Sequence, residues 1–313
     1  MRLPAISAGH LVANRYFSGV IHSVFRRACN ISLNNDAFIT LLPASSANLP
    51  QGIRLATPPG FSFTDHLQQD QPVGCRAGVI RIGGSNLSID LRPASRWQAD
   101  LARLSFDLEQ PDTGRAWHVA WQELWDYRQP ERGAFKPERL LLQSQAAGRS
   151  SKLRFLVDPL SAEILTLLKG THQLQVDQAA MVLEPLVGLG PGLTPAGDDF
   201  IIGYLAGLWS AVGFDPARLQ FLSALGIRID RAAAATNDIS RAYLRCATAG
   251  DVSETLAALA RAIAQGQDPA RLRQVSRSAL EIGDTSGAAA VLGLLIGITA
   301  FLGEDKRWLQ YKK

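Results

Sequence analysis

The chain has 313 residues, of which 47% are hydrophobic and 19% charged, with a mean hydropathy of +0.03. This balance excludes a mainly disordered chain, which needs low hydrophobicity and high charge, and 27 Gly with 16 Pro exclude a coiled coil. The net charge of +4 arises from 26 Arg and 6 Lys against 28 acids, scattered along the chain, so no nucleic-acid partner is expected. Low charge in a soluble chain implies a large core or surface covered by other subunits. Arg in place of Lys suits planar anions, since the guanidinium fork matches carboxylate and phosphate.

Cys29, Cys75 and Cys246 are too far apart for CxxC or metal spacing, so reduced thiols in a cytoplasmic protein are expected. No charged segment followed by an apolar run marks a signal peptide at the start. The longest apolar stretch, residues 287–303, spans 17 residues rich in Gly and Ala. It is short for a membrane span and reads as a buried helix.

Residues 1–95 read as β-rich. Segments 20–33, 38–42 and 52–57 carry β-branched and aromatic residues between turn signals. Segments 75–82 and 86–91 read as a hairpin about Gly83 and Gly84, with Leu87, Ile89 and Leu91 alternating with polar neighbours. From Ser95 the period lengthens. Leu101, Leu104, Phe106 and Leu108 fit a helix loosely, whereas Trp117, Trp121, Leu124 and Trp125 lie on one helical face. Residues 128–152 read as an excursion. Five Ala-rich segments, 201–212, 216–235, 253–265, 269–281 and 286–302, then read as helices separated by Gly and Asp-Pro. The expected fold class is α+β: a β-rich part over 1–95, a helical connection over 96–158 and a helical domain over 159–313.

The most informative run is GLGPGLTPAGDDFIIGYLAG, residues 188–207. Gly188, Gly190 and Gly192 permit a tight backbone path, Thr194 suits an N-cap and Pro195 a first helical position. Such a loop at a helix start suits an anion, yet it lacks the Lys-Ser/Thr ending of a Walker A loop. Asp198 and Asp199 follow in the first turn. Helix capping explains one acid; two adjacent acids beside Phe200 and Ile201 place one of them inward, where an unpartnered carboxylate is costly.

A second run, IGDTSGAAAVLGLLIG at residues 282–297, has the same form. Gly203 and Gly207 in the first helix, and Gly293 and Gly297 in the second, each stand four apart on one face. The two helices are therefore expected to pack closely with their starts together, gathering Thr194, Asp198, Asp199, Asp284 and Ser286 about one pocket. A third group, Thr236-Asn237-Asp238-Ile239-Ser240, is either a helix boundary or part of that pocket. Asp198, Asp199, Asp238 and Asp284 are the acids that interrupt apolar runs. No nucleophilic triad is apparent, and His10, His22, His66, His118 and His172 all lie outside these motifs.

The runs GLGPGLTPAGDDFIIGYLAG, TNDIS and GDTSGAAAVLGLLIG resemble the bacterial AllH family, over roughly residues 188–297. The matching positions are Gly188, Gly190, Gly192, Thr194, Pro195, Gly197, Asp198, Asp199, Gly203, Ser240, Ser286 and Gly287; Ala196 stands where the motif often has Ser. The resemblance implies a subunit of an oxamate carbamoyltransferase, in a complex with an FdrA-like subunit similar to succinyl-CoA ligases and with further subunits. The implied reaction is phosphorolysis of oxalurate to oxamate and carbamoyl phosphate in allantoin and purine catabolism, the product passing to carbamate kinase. On that basis Asp198, Asp199 and Asp284 are the candidate catalytic residues. Gly190, Gly192, Thr194, Thr236, Ser240, Ser286 and Gly287 are the candidates for binding a small anionic substrate. The three Asp could hold Mg²⁺, which takes oxygen ligands. Two other readings stand beside this one. GDTSGAAAVLGLLIG is locally similar to the magnesium-binding segment of ADP-ribosylglycohydrolases, although Ser286 replaces an Asp usual there. The glycine faces could also serve a non-catalytic scaffold.

Overall fold

The structure is a computed structural model and describes residues 1–13, 16–34, 37–128, 162–283 and 285–303. It divides into two compact units, Met1–Ala99 and Asp100–Lys313, and the class is α+β.

The first unit is a strand-rich barrel. Its strands are β1 (Arg2–Gly9), β2 (Tyr16–Phe25), β3 (Ala28–Leu33), β4 (Phe38–Pro43), β5 (Gly52–Leu55), β6 (Pro72–Arg76), β7 (Val79–Ile82), β8 (Ser88–Asp90) and β9 (Ser95–Trp97). Their order is β5-β4-β3-β2-β6-β7-β8-β1-β9, and antiparallel pairing of β1 with β5 closes the ring. Alternation sets the inward face. Val73 and Cys75 are buried while their neighbours on β6 are exposed, and Ile21, Ile31, Leu41, Ile53, Ile80 and Ile89 fill the interior with Phe63. Polar side chains inside pair with one another: Thr40 donates to Asn30 Oδ1 at 2.9 Å, and Ser7 to Asn48 Oδ1 at 2.6 Å.

Two expected strands are divided. Segment 20–33 turns at Arg26 and Arg27, where Phe25 pairs with Ala28. Segment 75–82 turns at Ala77 and Gly78, both at positive φ (51° and 75°), as a two-residue hairpin requires. The expected hairpin about Gly83 and Gly84 joins β7 to β8, in register Ile80 to Ile89. The loosely helical reading of 101–108 fails beyond one 3₁₀ turn, Leu101–Arg103, because Leu104 is extended.

Among the described residues the second unit holds nine α-helices. They are α1 (Pro111–Tyr127), α2 (Ala162–His172), α3 (Val176–Leu183), α4 (Ala196–Ala211), α5 (Pro216–Ala232), α6 (Asp238–Thr248), α7 (Glu254–Ala264), α8 (Pro269–Leu280) and α9 (Ser286–Thr299). Asp215 and Asp268 cap α5 and α8 and precede Pro at the first helical position. Ser253 caps α7. The tryptophan face lies on α1: Trp117 is fully buried and its Nε1 donates to the carbonyl of Leu295 at 3.0 Å, while Trp125 is half-exposed. The segment 128–152 falls almost wholly outside the described residues.

Helices α4 and α9 form the centre. Both are apolar on nearly every side and almost wholly buried, as central helices are. They run parallel, since Phe200 and Gly203 face Ala290 and Gly293 while Tyr204 and Gly207 face Leu294 and Gly297. The contact is backbone on backbone. A Cβ at Gly203 would collide with the Ala290 carbonyl, one at Gly207 with that of Leu294, one at Gly293 with that of Phe200, and one at Gly297 with that of Tyr204. The paired glycine spacing thus marks a backbone-on-backbone helix contact. No helix among the described residues is long and apolar enough to cross a membrane.

Replacing Gly203 by Val would force α4 away from α9. Backbone atoms obstruct the new methyls and cannot swing aside, so the loss should reach about 3 kcal/mol or more, the upper range for overpacking. Denaturant unfolding of the variant against the parent chain measures it, and a loss below about 1 kcal/mol would contradict the close contact.

Candidate functional site

The Gly-rich loop reaches the start of α4 by a path that needs its glycines. Gly188 and Gly190 adopt φ of 69° and 124°, a region costly for other residues. The Gly197 N–H donates to the Leu189 carbonyl at 2.9 Å and ties the loop to the first turn. The helix begins at Ala196 with Pro195 at the N-cap position and no side-chain cap. The expected capping by Thr194 therefore does not occur, because the hydroxyl is engaged elsewhere: Thr194 Oγ1 lies 2.8 Å from Ser286 Oγ at the start of α9. The two parallel helices thus present their N-termini side by side, and the partial positive charges of both converge there.

Both acids of the pair are buried, Asp198 at 0% and Asp199 at 7% exposure. Adjacent helical residues diverge by about 100°, and both directions lead inward because α4 is surrounded. Asp198 Oδ1 accepts from the Gly188 N–H at 2.7 Å; its Oδ2 accepts from Thr236 Oγ1 at 2.5 Å and Ser240 Oγ at 2.6 Å. Burial raises its pKa, opposed by those three donors. Asp199 is different. It hydrogen-bonds Ser286, and its Oδ2 is buried with no partner. Burial foremost, with nearby Asp198 adding, pushes its carboxyl up to about 8 against the opposing bond from Ser286. At neutral pH Asp199 is therefore mainly a neutral acid, joined through Ser286 to Thr194.

Thr194, Asp198, Asp199, Ser286, Thr236 and Ser240 are thus brought together, in two layers. Thr236 and Ser240 give their protons inward to Asp198, and so hold a carboxylate in place of a ligand. Thr194 and Ser286 are half-buried on the open side, beside exposed Gly192 and Leu193. Gly190 is half-buried, and a Cβ there would lie 2.8 Å from the Ala196 nitrogen. The Gly287 N–H is taken by the Ile282 carbonyl, and a Cβ there would strike the carbonyls of Ala279 and Leu280. Its own N–H is thus already paired, and the close approach leaves no room for a side chain. Asp284 lies outside the described residues. Asp238 is exposed and pairs with Arg241 at 3.3 Å, away from the pocket.

Asn237 is a residue whose importance the sequence conceals. It caps α6, accepting from the Ser240 N–H at 3.0 Å, while its Nδ2 donates to the Leu193 carbonyl at 3.0 Å and secures the Gly-rich loop. The cap position was legible; the second bond spans 44 residues. Among the described residues there is no cluster of three His, Cys, Asp or Glu, and both Asp198 oxygens take protein donors; Asp284, the third acid of the expected magnesium set, lies outside them. The described arrangement sets two helix N-termini and two hydroxyls beside the Asp199 carboxyl, a combination that can take an oxyanion.

Residues 186–298 match the family model described as oxamate carbamoyltransferase subunit AllH, and residues 4–96 match that described as the AllH family N-terminal domain. No curated protein and no solved structure matches.

The raised Asp199 pKa makes stability depend on pH. Between its unfolded value near 3.8 and its folded value of about 8, the native state binds the extra proton. The stability this residue contributes is therefore complete at low pH and lost as pH rises through that window. Asp199→Asn keeps the shape without the proton. Its unfolding free energy should fall less than that of the parent chain from pH 5 to pH 8.5, by a few kcal/mol on the order set by the shift. Parallel pH profiles would refute the assignment.

Proposed function

The chain belongs to the AllH family, and from that premise we propose that it is one subunit of a carbamoyltransferase complex that converts oxalurate and phosphate to oxamate and carbamoyl phosphate. The observation that carries this reading is the convergence of two helix N-termini on the Thr194–Ser286 hydroxyl pair. Both substrates are anions, and both would be drawn to that end.

In the proposed step a phosphate oxygen attacks the ureido carbonyl carbon of oxalurate. The bond from that carbon to the oxamate nitrogen breaks, and the nitrogen receives the proton released by phosphate. Such a transfer needs positioning and charge stabilisation more than a protein nucleophile. Thr194 would turn its hydroxyl proton from Ser286 to the oxyanion, leaving that of Ser286 for the leaving nitrogen. Asp199, holding its proton one bond away, would pass it through Ser286 as negative charge moves to the leaving nitrogen, recovering a proton from phosphate afterwards. Asp198 would position the loop through Gly188. The partners in this reading are an FdrA-like subunit and further subunits in the cytoplasm, with carbamate kinase consuming the product.

The scaffold reading draws on a separate observation: the Asp198 carboxylate is satisfied by three donors of the chain itself. The two readings separate by reconstitution. The chain, alone and with an FdrA-like subunit, is assayed for phosphate-dependent carbamoyl phosphate formation from oxalurate, expected only in the mixture. Thr194→Ala with Ser286→Ala should lower turnover by at least about tenfold in an assembled complex, the usual scale for losing positioned donors. Unchanged turnover would leave the scaffold. Release of ADP-ribose from a modified protein would instead favour the hydrolase resemblance.

A further inference from the structure

The barrel carries a feature with no part in the helical site. A cleft of about 580 Å³ opens between the β2–β3 turn, the segment after β4 and the loop after β5. Arg26, Arg27, Ser45, Thr57 and Phe61 line it with prolines, and no acidic side chain does. Its volume falls within the range of small-molecule sites.

The walls are built, not merely adjacent. The Phe63 N–H donates to the Arg26 carbonyl at 3.1 Å, fixing the turn to a loop anchored by the fully buried Phe63 ring. Arg27 Nη2 donates to Ser45 Oγ at 2.9 Å, which orients one guanidinium across the cleft. Phe61 packs against the barrel core, edge-on to Phe63 at 5.1 Å and stacked on His66 at 4.9 Å. A third cation stands behind the wall: Arg54 Nη2 donates to the Ala44 carbonyl at 2.5 Å, and its buried Nε has no partner. Arg26, Arg27 and Arg54 form no ion pair among the described residues, whereas Arg2 and Arg92 on the same unit share Asp90. Arg in turns ordinarily serves solubility and points to water. Here the two exposed arginines line one concavity with hydroxyls from Ser45 and Thr57 and an aromatic wall, so charge, hydrogen bonding and an apolar surface are supplied together.

We propose that this cleft binds a small oxyanion, its phosphoryl or carboxylate group held by Arg26 and Arg27 and its body lying on Phe61. The site is independent of the helical one and of the reaction proposed for it.

The test is calorimetric titration of the full chain at constant ionic strength with phenyl phosphate, phthalate and inorganic phosphate. Phenyl phosphate or phthalate should bind, and the better of the two names the headgroup. Arg26→Ala with Arg27→Ala should weaken binding at least tenfold, and Phe61→Leu should abolish the preference for phenyl phosphate over inorganic phosphate. Arg81→Ala, which removes an exposed charge on β7, should leave binding unchanged. Absence of binding by the parent chain overturns the proposal. So does binding that survives loss of both arginines, or that disappears instead with Thr194→Ala and Ser286→Ala. Circular dichroism confirms that each variant is folded, and Arg27→Lys, which retains charge but not the fork, should show an intermediate affinity.

Discussion

The contact between α4 and α9 is the constraint on which the helical unit depends. Four glycines let two backbones meet carbonyl against Cα, closer than any side chain would allow. Two consequences follow from that closeness. The helices run parallel with their starts aligned, and everything at those starts is held in common: the hydroxyls of Thr194 and Ser286 meet only because the glycines below them do. A single Cβ in the seam would move the upper end as well, since a helix transmits a shift along its length.

Parallel alignment sets like ends of two helix dipoles together, which is unfavourable by itself. Acids in the first turn of α4 offset this in proportion to the charge they carry. Their burial would be costly without partners. For Asp198 three donors supply the compensation, and for Asp199 retention of the proton does. The two acids, adjacent in sequence, are therefore held differently, Asp198 by three donors and Asp199 by its bond to Ser286. The same pair of helix ends still favours an added negative group.

Much of this was legible in the residues. The 3.6-residue period of Trp117, Trp121 and Leu124 gave α1 because those side chains share one buried face. Gly203, Gly207, Gly293 and Gly297 gave the helix pair because small residues four apart have few other uses in a helix. The β2–β3 turn was hidden because Arg26 and Arg27 are not turn residues, and the Ala77–Gly78 turn because Ala rarely accepts positive φ. Closure of the barrel by β5 on β1 is a pairing of distant segments that alternation cannot announce. At the site, the run 188–199 marked residues that the structure brings together, but not their partners. Asp198 binds groups 38 and 42 residues away, and the charge of Asp199 depends on burial, which no local pattern encodes. Capping by Thr194 was the wrong expectation for a related reason: a hydroxyl on a second helix competed for it.

Closure of the barrel also limits how the first unit can join other chains. A ring whose end strands pair with each other offers no row of free N–H and C=O groups to an incoming strand. Among the described strands, β9 lies outside that ring, paired with β1 alone over Ser95–Trp97. Three residues give a short ladder, too little for sheet extension to hold a partner. Association through this unit therefore falls to side chains and loops, which can be altered one at a time without disturbing the backbone network beneath them.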